Sequence, residues 1–307
     1  MKITILDSER QILLVSTPSL KNELIRDISD VKAPADAIAV KEGNMLVENT
    51  ENEPCLEIAS SARLCFDDDC VIALTGASFS VSINGESIPH YCAAQVDAGD
   101  EMTVSTSGKG GYLYVAVNGI FECERNKLSS GDFVTVSENS ENLFNMDIRC
   151  LPSPEKKENE VIRLLPGQNA QQYGAHVLEL LYTTEFTVCG AGREQVSLSG
   201  VDVGRAASMD EPSYAPVGSV LLDEKGSPYI LMQDSCALTD KMILATVISQ
   251  DISRVSQLWE GDKVRFSPCT VQASQKLMAY TRKEYIKNYL ALNEYQMTEN
   301  DTEQDDG

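Results

Sequence analysis

Short apolar segments separated by turn residues dominate the first half of the chain. Residues 70–75 form a continuous apolar run that ends at Gly76, which is typical of a buried strand. Residues 78–83 alternate polar and apolar side chains, and Asn84-Gly85 supplies the tight turn of a β-hairpin. A further strand is expected at residues 112–117. This pattern predicts a mainly β structure.

A glycine-aspartate turn recurs three times, at Gly99-Asp100, Gly131-Asp132 and Gly261-Asp262. Each pair precedes a strand in which polar and apolar residues alternate. The intervals between the three turns are irregular, which excludes a solenoid repeat. Many short strands of this kind close into barrels, because closure removes exposed strand edges. We therefore expect β-barrels.

The second half of the chain follows a proline- and charge-rich stretch at residues 150–160, which we interpret as a linker or crossing loop. Strands are expected at residues 161–165, 186–188, 196–198, 219–222, 229–232 and 245–248. Residues 170–182 have the apolar spacing of one amphipathic helix. Residues 274–296 also place apolar side chains on one helical face, which either packs on its own domain or binds a partner. The acidic residues 298–307 are expected to form a frayed tail.

These elements predict three regions. Residues 1–150 form a first domain, residues 151–272 a second, and residues 273–307 a C-terminal helix with an acidic tail. The predicted fold class is mainly β, with two β-barrel domains, a few short helices and the C-terminal helix. A chain of 307 residues is long for a single core, which supports the division.

The net charge of −22 restricts the classes of partner that the chain is expected to bind. A polyanion of this size is repelled by nucleic acid and by anionic membranes, so we expect neither as a partner. Acidic surfaces usually serve solvation, and a basic protein partner is the alternative. We expect no secretory signal, and the sequence contains no apolar segment of the length that spans a bilayer.

The nine cysteines are spread singly and include no Cys-x-x-Cys pair. With only His90 and His176 available, a zinc site is not expected. We interpret the cysteines as reduced, mostly buried thiols of a cytoplasmic protein without a disulfide framework.

Several strings, taken in order, resemble the family of the C-type subunit of 5-oxoprolinase, also called KipA-like or biotin-dependent carboxyltransferase-like, which includes the carboxyltransferase domain of urea amidolyase. The matching strings are NMLVEN at residues 44–49, CLEI at 55–58, ALTGA at 73–77, LYVAVNGI at 113–120, RLLPG at 163–167, ATVIS at 245–249 and QLWEGDKVRF at 257–266. They run through the chain from about residue 38 to residue 266.

The resemblance implies two cyclophilin-like β-barrel domains and a KipI-like partner, which is the B-type subunit of the oxoprolinase. In that enzyme, these two subunits and an ATP-using A-type subunit open the lactam ring of 5-oxoproline. The resemblance therefore implies that this chain binds no cofactor alone and that ATP is used through a partner. It leaves the role of biotin open. No glycine-rich phosphate cradle is visible in the sequence.

The family's polar site strings are altered in this chain. Its Ser-Gly-Ala-Met-Asp string keeps only Asp36, and its Asp-Arg-x-Gly-Tyr-Arg-Leu string keeps Arg193. The position of its Ser-Glu-Gly string reads Pro212-Ser-Tyr214. In the family's Asp-x-Gln-Thr-Thr-Gly-Gly-Tyr-Pro-Lys loop, which starts here at Asp234, the final lysine is Ile243. Isoleucine can neither hold an anion nor move a proton.

Four residues remain as candidates for chemistry, each with a structural alternative. Asp36 is a candidate general base, or the cap of a helix. Arg193 is a candidate anchor for a carboxylate, or an exposed loop arginine. Asp234 begins a site loop, or caps a turn, and Lys241 could replace the lost lysine through a local shift.

Two hypotheses about function follow. In the first, the chain is a component like the C-type subunit, in a 5-oxoprolinase or a related carboxyltransferase or amidohydrolase complex. In the second, it is a noncatalytic scaffold or regulatory paralogue that keeps the fold and the partner surface but has lost the site. Whether the chain is itself an enzyme is open at this point.

Overall fold

The computed structural model describes residues 1–17, 32–106, 111–122, 125–137, 149–154, 159–236 and 238–302, with side chains as far as Leu292. The chain divides into two compact units. The first comprises Met1–Gly108, Tyr112–Pro154 and Tyr280–Gly307, and the second comprises Lys109–Gly111 and Glu155–Ala279.

The first unit consists of two β-sheets. Its strands are β1 (Lys2–Ser8), β2 (Ile12–Val15), β3 (Cys55–Ile58), β4 (Ala62–Phe66), β5 (Cys70–Gly76), β6 (Ser80–Ile83), β7 (Glu86–Ser87), β8 (Ala93–Val96), β9 (Glu101–Ser105), β10 (Leu113–Val117), β11 (Ile120–Glu122), β12 (Lys127–Leu128) and β13 (Phe133–Ser137). One sheet has the order β11-β13-β1-β4-β9-β6-β7, and the other has the order β12-β2-β3-β10-β5-β8. Alternate residues such as Ile3 and Ile5 of β1 meet Leu56 and Ile72 of the other sheet in one buried core.

A helix covers the opposite face of the six-stranded sheet. This helix, α1 (Ala37–Leu46), starts at Asp36, whose side chain accepts hydrogen bonds from two backbone amides of the first turn. Gly43 allows close packing, because a β-carbon there would lie 3.1 Å from both Ala116 and Thr75. The Thr75 hydroxyl also donates to the Ala39 carbonyl at 2.7 Å. With both faces covered, β5 and β10 are buried throughout, apart from the end of β5 at Gly76.

The second unit contains a closed barrel with the strand order β14-β21-β18-β19-β16-β15-β22. Its strands are β14 (Asn159–Pro166), β15 (Glu185–Ala191), β16 (Gln195–Ser199), β18 (Ser219–Leu222), β19 (Pro228–Leu231), β21 (Ala245–Val247) and β22 (Lys263–Pro268). The barrel closes through a parallel pairing of β14 with β22, and Phe186 and Phe266 pack against each other in its core. A separate two-stranded ribbon joins β17 (Ser208–Tyr214) to β20 (Leu238–Lys241).

Four further helices follow α1 along the described part of the chain: α2 (Ala170–Tyr173), α3 (Ala175–Thr183), α4 (Ser249–Ser256) and α5 (Val271–Thr302). The single helix predicted at residues 170–182 is divided at Gly174, which has a φ of 83°. The predicted C-terminal helix is confirmed, and its backbone continues to Thr302, so residues 298–302 of the predicted tail are helical. Residues 303–307 lie outside the described part of the chain.

The three glycine-aspartate turns share one geometry. Gly99, Gly131 and Gly261 have φ values of 91°, 88° and 96°. In each turn the aspartate side chain accepts a hydrogen bond from the backbone amide three residues earlier, at 3.0, 2.8 and 2.7 Å. Each turn leads directly into β9, β13 or β22. The predicted role of this sequence device is therefore confirmed in both units.

The cysteines differ from the prediction. Cys92 and Cys150 form a disulfide, whereas all nine cysteines were expected to be reduced. The Ala93 amide donates to Arg149 O, and the Leu151 amide donates to Tyr91 O, both at 2.8 Å. This local antiparallel bridge aligns two cysteines that are 58 residues apart. Of the free cysteines in the described residues, only Cys55 and Cys70 are buried, so the expectation of mostly buried thiols was also wrong.

No helix in the described part of the chain combines the length and apolar character needed to cross a membrane.

Candidate functional site

Arg193 and Asp234 form an ion pair at one end of the barrel. Arg193 lies in the turn between β15 and β16, and Asp234 follows β19, which is hydrogen-bonded to β16. The guanidinium group donates from Nε and Nη2 to the two Asp234 carboxylate oxygens, both at 3.1 Å. The Asp234 amide also donates to the Arg193 carbonyl at 2.7 Å. Adjacent strand ends therefore hold two of the candidate residues together.

This pairing changes what each of the two residues can do. The Arg193 side chain is 11% exposed, so it is not the exposed loop arginine of the structural alternative. One edge of its guanidinium is nevertheless occupied by Asp234, which is the partner that an incoming carboxylate would have to replace. Both carboxylate oxygens of Asp234 in turn already accept hydrogen bonds from this guanidinium. The pair therefore suits positioning of the two loops better than proton transfer.

Lys241 lies in the β17–β20 ribbon. Its ammonium group is 5.2 Å from the ring centroid of Tyr229, a residue of β19, which is a cation–π distance. The neighbouring position Ile243, where the family resemblance leads one to expect a lysine, is 3% exposed and packs in a small apolar cluster with Ala215, Leu221 and Leu231. The Ile243 amide donates to the Asn169 side chain at 3.0 Å, which fixes this inward position.

The ribbon brings together two of the altered strings. Ser213 is opposite Thr239 and Tyr214 is opposite Leu238, with a bulge between Ser208 and Ser213. The first string replaces Ser-Glu-Gly, and the second belongs to the altered loop that starts at Asp234. Both Tyr214 and Leu238 are 65% exposed. The resemblance leads one to expect polar residues and glycine in these two strings. In this chain they instead present two exposed large side chains, Tyr214 and Leu238.

Asp36 belongs to the first unit and has the capping role that was the structural alternative to a general base. Its carboxylate accepts from the amides of Ile38 and Ala39 at 3.1 and 3.0 Å, and the residue is 6% exposed. The Asp36 amide donates to the Tyr114 hydroxyl at 2.8 Å. Arg193, Asp234 and Lys241 all lie in the second unit.

A group of buried and partly buried acids and tyrosines around Asp36 was missed from the sequence. Glu57 is 2% exposed and accepts from the Tyr114 hydroxyl at 2.8 Å and from the Ala35 amide at 3.0 Å. Burial raises the pKa of the Glu42 carboxyl to about 8, and repulsion from Asp36 adds to this rise. Glu42 therefore carries a proton near neutral pH. Glu57 lies within the matching string CLEI, but no pattern in the sequence marked Glu42.

The residues shared with the family are mostly structural. Asn49 donates to the Val117 carbonyl at 2.8 Å and to the Asn44 side chain at 3.1 Å, and it accepts from the Gly119 amide at 3.0 Å. These bonds join the segment after α1 to the β10–β11 hairpin. Both asparagines are buried, so the string NMLVEN is explained by internal hydrogen bonding.

The shared string RLLPG has a similar explanation in the second unit. Arg163 donates from its backbone amide and from Nε to Asp251, at 2.8 and 2.9 Å, and Asp251 is fully buried at the start of α4. A β-carbon at Gly167 would lie 2.3 Å from the Ile243 carbonyl, so this position admits only glycine. The shared strings therefore maintain the barrel and its neighbouring helix.

The described residues contain no group of three or more His, Cys, Asp or Glu side chains arranged to hold a metal ion.

Comparison with known proteins shows which family has this architecture. A family model described as "Carboxyltransferase domain, subdomain A and B" matches residues 33–127 and 122–268. The C-type subunit of Haemophilus influenzae 5-oxoprolinase is 25% identical over 263 residues, covering 79% of this chain and 84% of that protein. A putative urea carboxylase of Emericella nidulans is 27% identical over 271 residues, covering 76% of this chain and 21% of that protein.

The fold is also found in solved structures. The crystal structure of Kluyveromyces lactis urea carboxylase matches with a TM-score of 0.77 at 17% identity, covering 94% of this chain and 29% of that one. At this identity the match concerns the fold alone. The chain thus spans less than a third of the length of the two urea carboxylases that it matches.

Proposed function

Because the chain belongs to the carboxyltransferase domain family, as a divergent member of subdomains A and B, we propose that it is the C-type component of a 5-oxoprolinase-type complex. In this proposal it works with a KipI-like partner and an ATP-using subunit in the ring opening of 5-oxoproline. We also propose that it acts in the cytoplasm. The observation that carries the proposal is that the residues shared with the family are the ones that build its two units, such as Asn49 and Arg163 with their buried partners.

The proposed site comprises Arg193, Asp234 and Lys241 at the barrel end and the ribbon, with Asp36 as a structural cap in the other unit. Arg193 and Asp234 hold the turn after β15 and the loop after β19 in one arrangement. Lys241 provides a cation over Tyr229. The lactam ring opening needs a proton acceptor and a group that stabilises an oxyanion. We propose that the partner subunits supply the larger part of both.

We propose that this chain alone binds neither biotin nor ATP. A carboxylated biotin needs a cation for its carboxylate, whereas Arg193 is held by Asp234 and Lys241 lies over Tyr229. We propose that a partner protein uses the ATP.

A second candidate function is supported by a separate observation. Ile243 is buried in the apolar cluster at the position where the resemblance leads one to expect the site lysine. This arrangement favours a noncatalytic scaffold or regulatory paralogue that retains the fold and binds the same partners.

The test combines reconstitution with a matched pair of variants. The chain is co-purified with the KipI-like protein and the ATP-using oxoprolinase protein of the same organism, and ATP-dependent hydrolysis of 5-oxoproline is measured. We expect turnover by the wild-type complex and a fall of about a hundredfold in the Arg193→Ala, Asp234→Ala double variant, since it removes the arrangement of both loops. The control is the Arg265→Ala, Glu185→Ala double variant, which removes an exposed ion pair from the same barrel.

The outcomes separate the proposals. Normal turnover by the Arg193→Ala, Asp234→Ala complex would remove the site assignment. Stable assembly without any turnover would favour the scaffold or regulatory function. Failure of the chain to assemble with either partner would contradict both.

A further inference from the structure

The β17–β20 ribbon lies outside the barrel sheet. In the described residues, β17 and β20 pair only with each other. A two-stranded ribbon is marginally stable on its own, so an exposed one normally gains stability from something that covers it. Most residues of β17 are exposed, namely Ser208, Asp210, Glu211, Pro212 and Tyr214.

The ribbon carries two large apolar side chains next to each other. Tyr214 and Leu238 are register partners and are each 65% exposed, the highest values among the large apolar residues described as exposed. Directly opposed residues of an antiparallel pair lie close enough to form one contact surface. Tyrosine is one of the residues that most often anchor a protein–protein interface, and an apolar neighbour such as Leu238 helps to exclude water around it.

Acidic residues lie on the same ribbon. Asp210, Glu211 and Asp240 are exposed, while the basic residue Lys241 lies over Tyr229. A second copy of this chain would bring the same acidic groups together, and each copy has a net charge of −22. Like charges at an interface are unfavourable, so the charge pattern argues for a partner with a basic rim and against self-association.

We propose that the ribbon is the docking surface for the KipI-like partner, which presents an apolar pocket for Tyr214 and Leu238 rimmed by lysine and arginine side chains. This inference rests on the proposed function, which supplies the identity of the partner. It adds the surface, the two anchoring residues and the chemistry of the opposite face. It also gives the altered strings a role, because Tyr214 stands where the resemblance leads one to expect a glycine and Leu238 where it leads one to expect a threonine.

The test measures binding of the purified KipI-like protein of the same organism by calorimetry. We expect Leu238→Asp and Tyr214→Asp each to raise Kd by about tenfold or more, since each places a charge in an apolar pocket. Val161→Asp is the matched control, because Val161 is an exposed apolar residue of β14 on the same unit. It should change Kd by less than about twofold. Circular dichroism melting checks that all three variants remain folded.

The basic rim is tested separately. The wild-type Kd should rise with sodium chloride concentration, and the Asp210→Lys, Glu211→Lys double variant should bind more weakly and depend less on salt. Tighter binding by this variant would overturn the proposed rim.

The remaining outcomes distinguish the two proposals. Equal binding by Leu238→Asp, Val161→Asp and the wild type would overturn the docking surface while leaving the proposed function intact. No binding by the wild-type chain would remove the proposed function and this inference with it. If light scattering shows a dimer that Leu238→Asp dissociates, a second copy occupies the ribbon and the proposal is wrong.

Discussion

Glu42 has an ionisation that depends strongly on its place in the fold. Its pKa is raised from 4.5 to about 8 by burial and by Asp36, and it interacts with Tyr91 and Tyr285. An unfolded chain loses this proton near pH 4.5, whereas the folded chain keeps it to about pH 8. The folded state therefore binds more protons over this interval, and the free energy of unfolding decreases as pH rises through it.

The variant Glu42→Gln tests this linkage. Glutamine remains neutral at all pH values, so the variant should lose the decrease in stability that the wild type shows between about pH 5.5 and pH 8. At pH 8.5 we expect it to be more stable by about 2 kcal/mol, a value below the full effect of the pKa shift because Glu42 is only partly buried. Urea unfolding at a series of pH values measures the difference.

The control for this experiment is Glu86→Gln, which removes an exposed carboxyl group of β7 in the same unit. It should leave the pH dependence unchanged. If the free energy of unfolding depended on pH in the same way for Glu42→Gln and the wild type, Glu42 would be ionised in the folded protein at neutral pH.

Single residues also show what a sequence reveals and what it does not. The capping role of Asp36 is predictable, because a cap depends on the backbone amides of the next few residues. The partner of Arg193 is 41 residues away and is brought close only by the pairing of β16 with β19. The raised pKa of Glu42 likewise depends on a helix packing against a sheet. Contacts of this kind leave no local pattern.

At the scale of elements, Asn49 joins α1 to the β10–β11 hairpin. Replacing it with leucine would leave the Gly119 amide without its acceptor and the Val117 carbonyl without this donor, in a buried place. Since an unpaired buried polar group is costly, we expect Asn49→Leu to lower the free energy of unfolding by about 2–3 kcal/mol. Urea unfolding followed by circular dichroism measures the loss.

The neighbouring variant Thr50→Val provides the comparison. Thr50 is exposed and its hydroxyl donates to the Glu53 side chain at 2.9 Å, so the change should cost less than about 0.5 kcal/mol. Equal effects of the two variants would contradict the joining role of Asn49.

The elements themselves were largely predictable where the pattern is periodic. Strands such as β5, β9 and β22 have clear alternation or apolar runs together with turn glycines at positive φ. The capping alternative for Asp36 anticipated the start of helix α1, but not its extent, because its buried positions include Gly43 and Asn44, which do not form an apolar stripe. The β17–β20 ribbon was not predicted either, since most of its side chains are exposed and its bulge interrupts the alternation.

At the scale of the whole molecule, the strings that resemble the carboxyltransferase family and the strings that differ from it lie in different parts of the fold. The shared strings lie in buried strands and at helix ends, where packing restricts the choice of residue. The altered strings at Tyr214 and Leu238 lie on an exposed ribbon, where packing does not restrict it. A change of surface is therefore compatible with an unchanged scaffold, and scaffold similarity alone does not carry the chemistry.

The disulfide between Cys92 and Cys150 contributes to the stability of the whole first unit. It closes a chain segment of 58 residues, and Cys150 is exposed, so a dithiol reductant can reach it. In the chain-entropy description, a loop of this length contributes up to about 4 kcal/mol to stability by restricting the unfolded chain. A reducing compartment would remove this contribution.

Two measurements test the disulfide together. Thiol titration of the denatured protein should find two more thiols after reduction than before it, because Cys92 and Cys150 are paired. Dithiothreitol should lower the melting temperature of the wild type by several degrees. The Cys92→Ser, Cys150→Ser double variant should melt at the lower temperature with or without the reductant. The same number of thiols before and after reduction, with a melting temperature insensitive to dithiothreitol, would mean that the antiparallel bridge at residues 91–93 and 149–151 holds without a covalent bond, through the hydrogen bonds of Ala93 and Leu151.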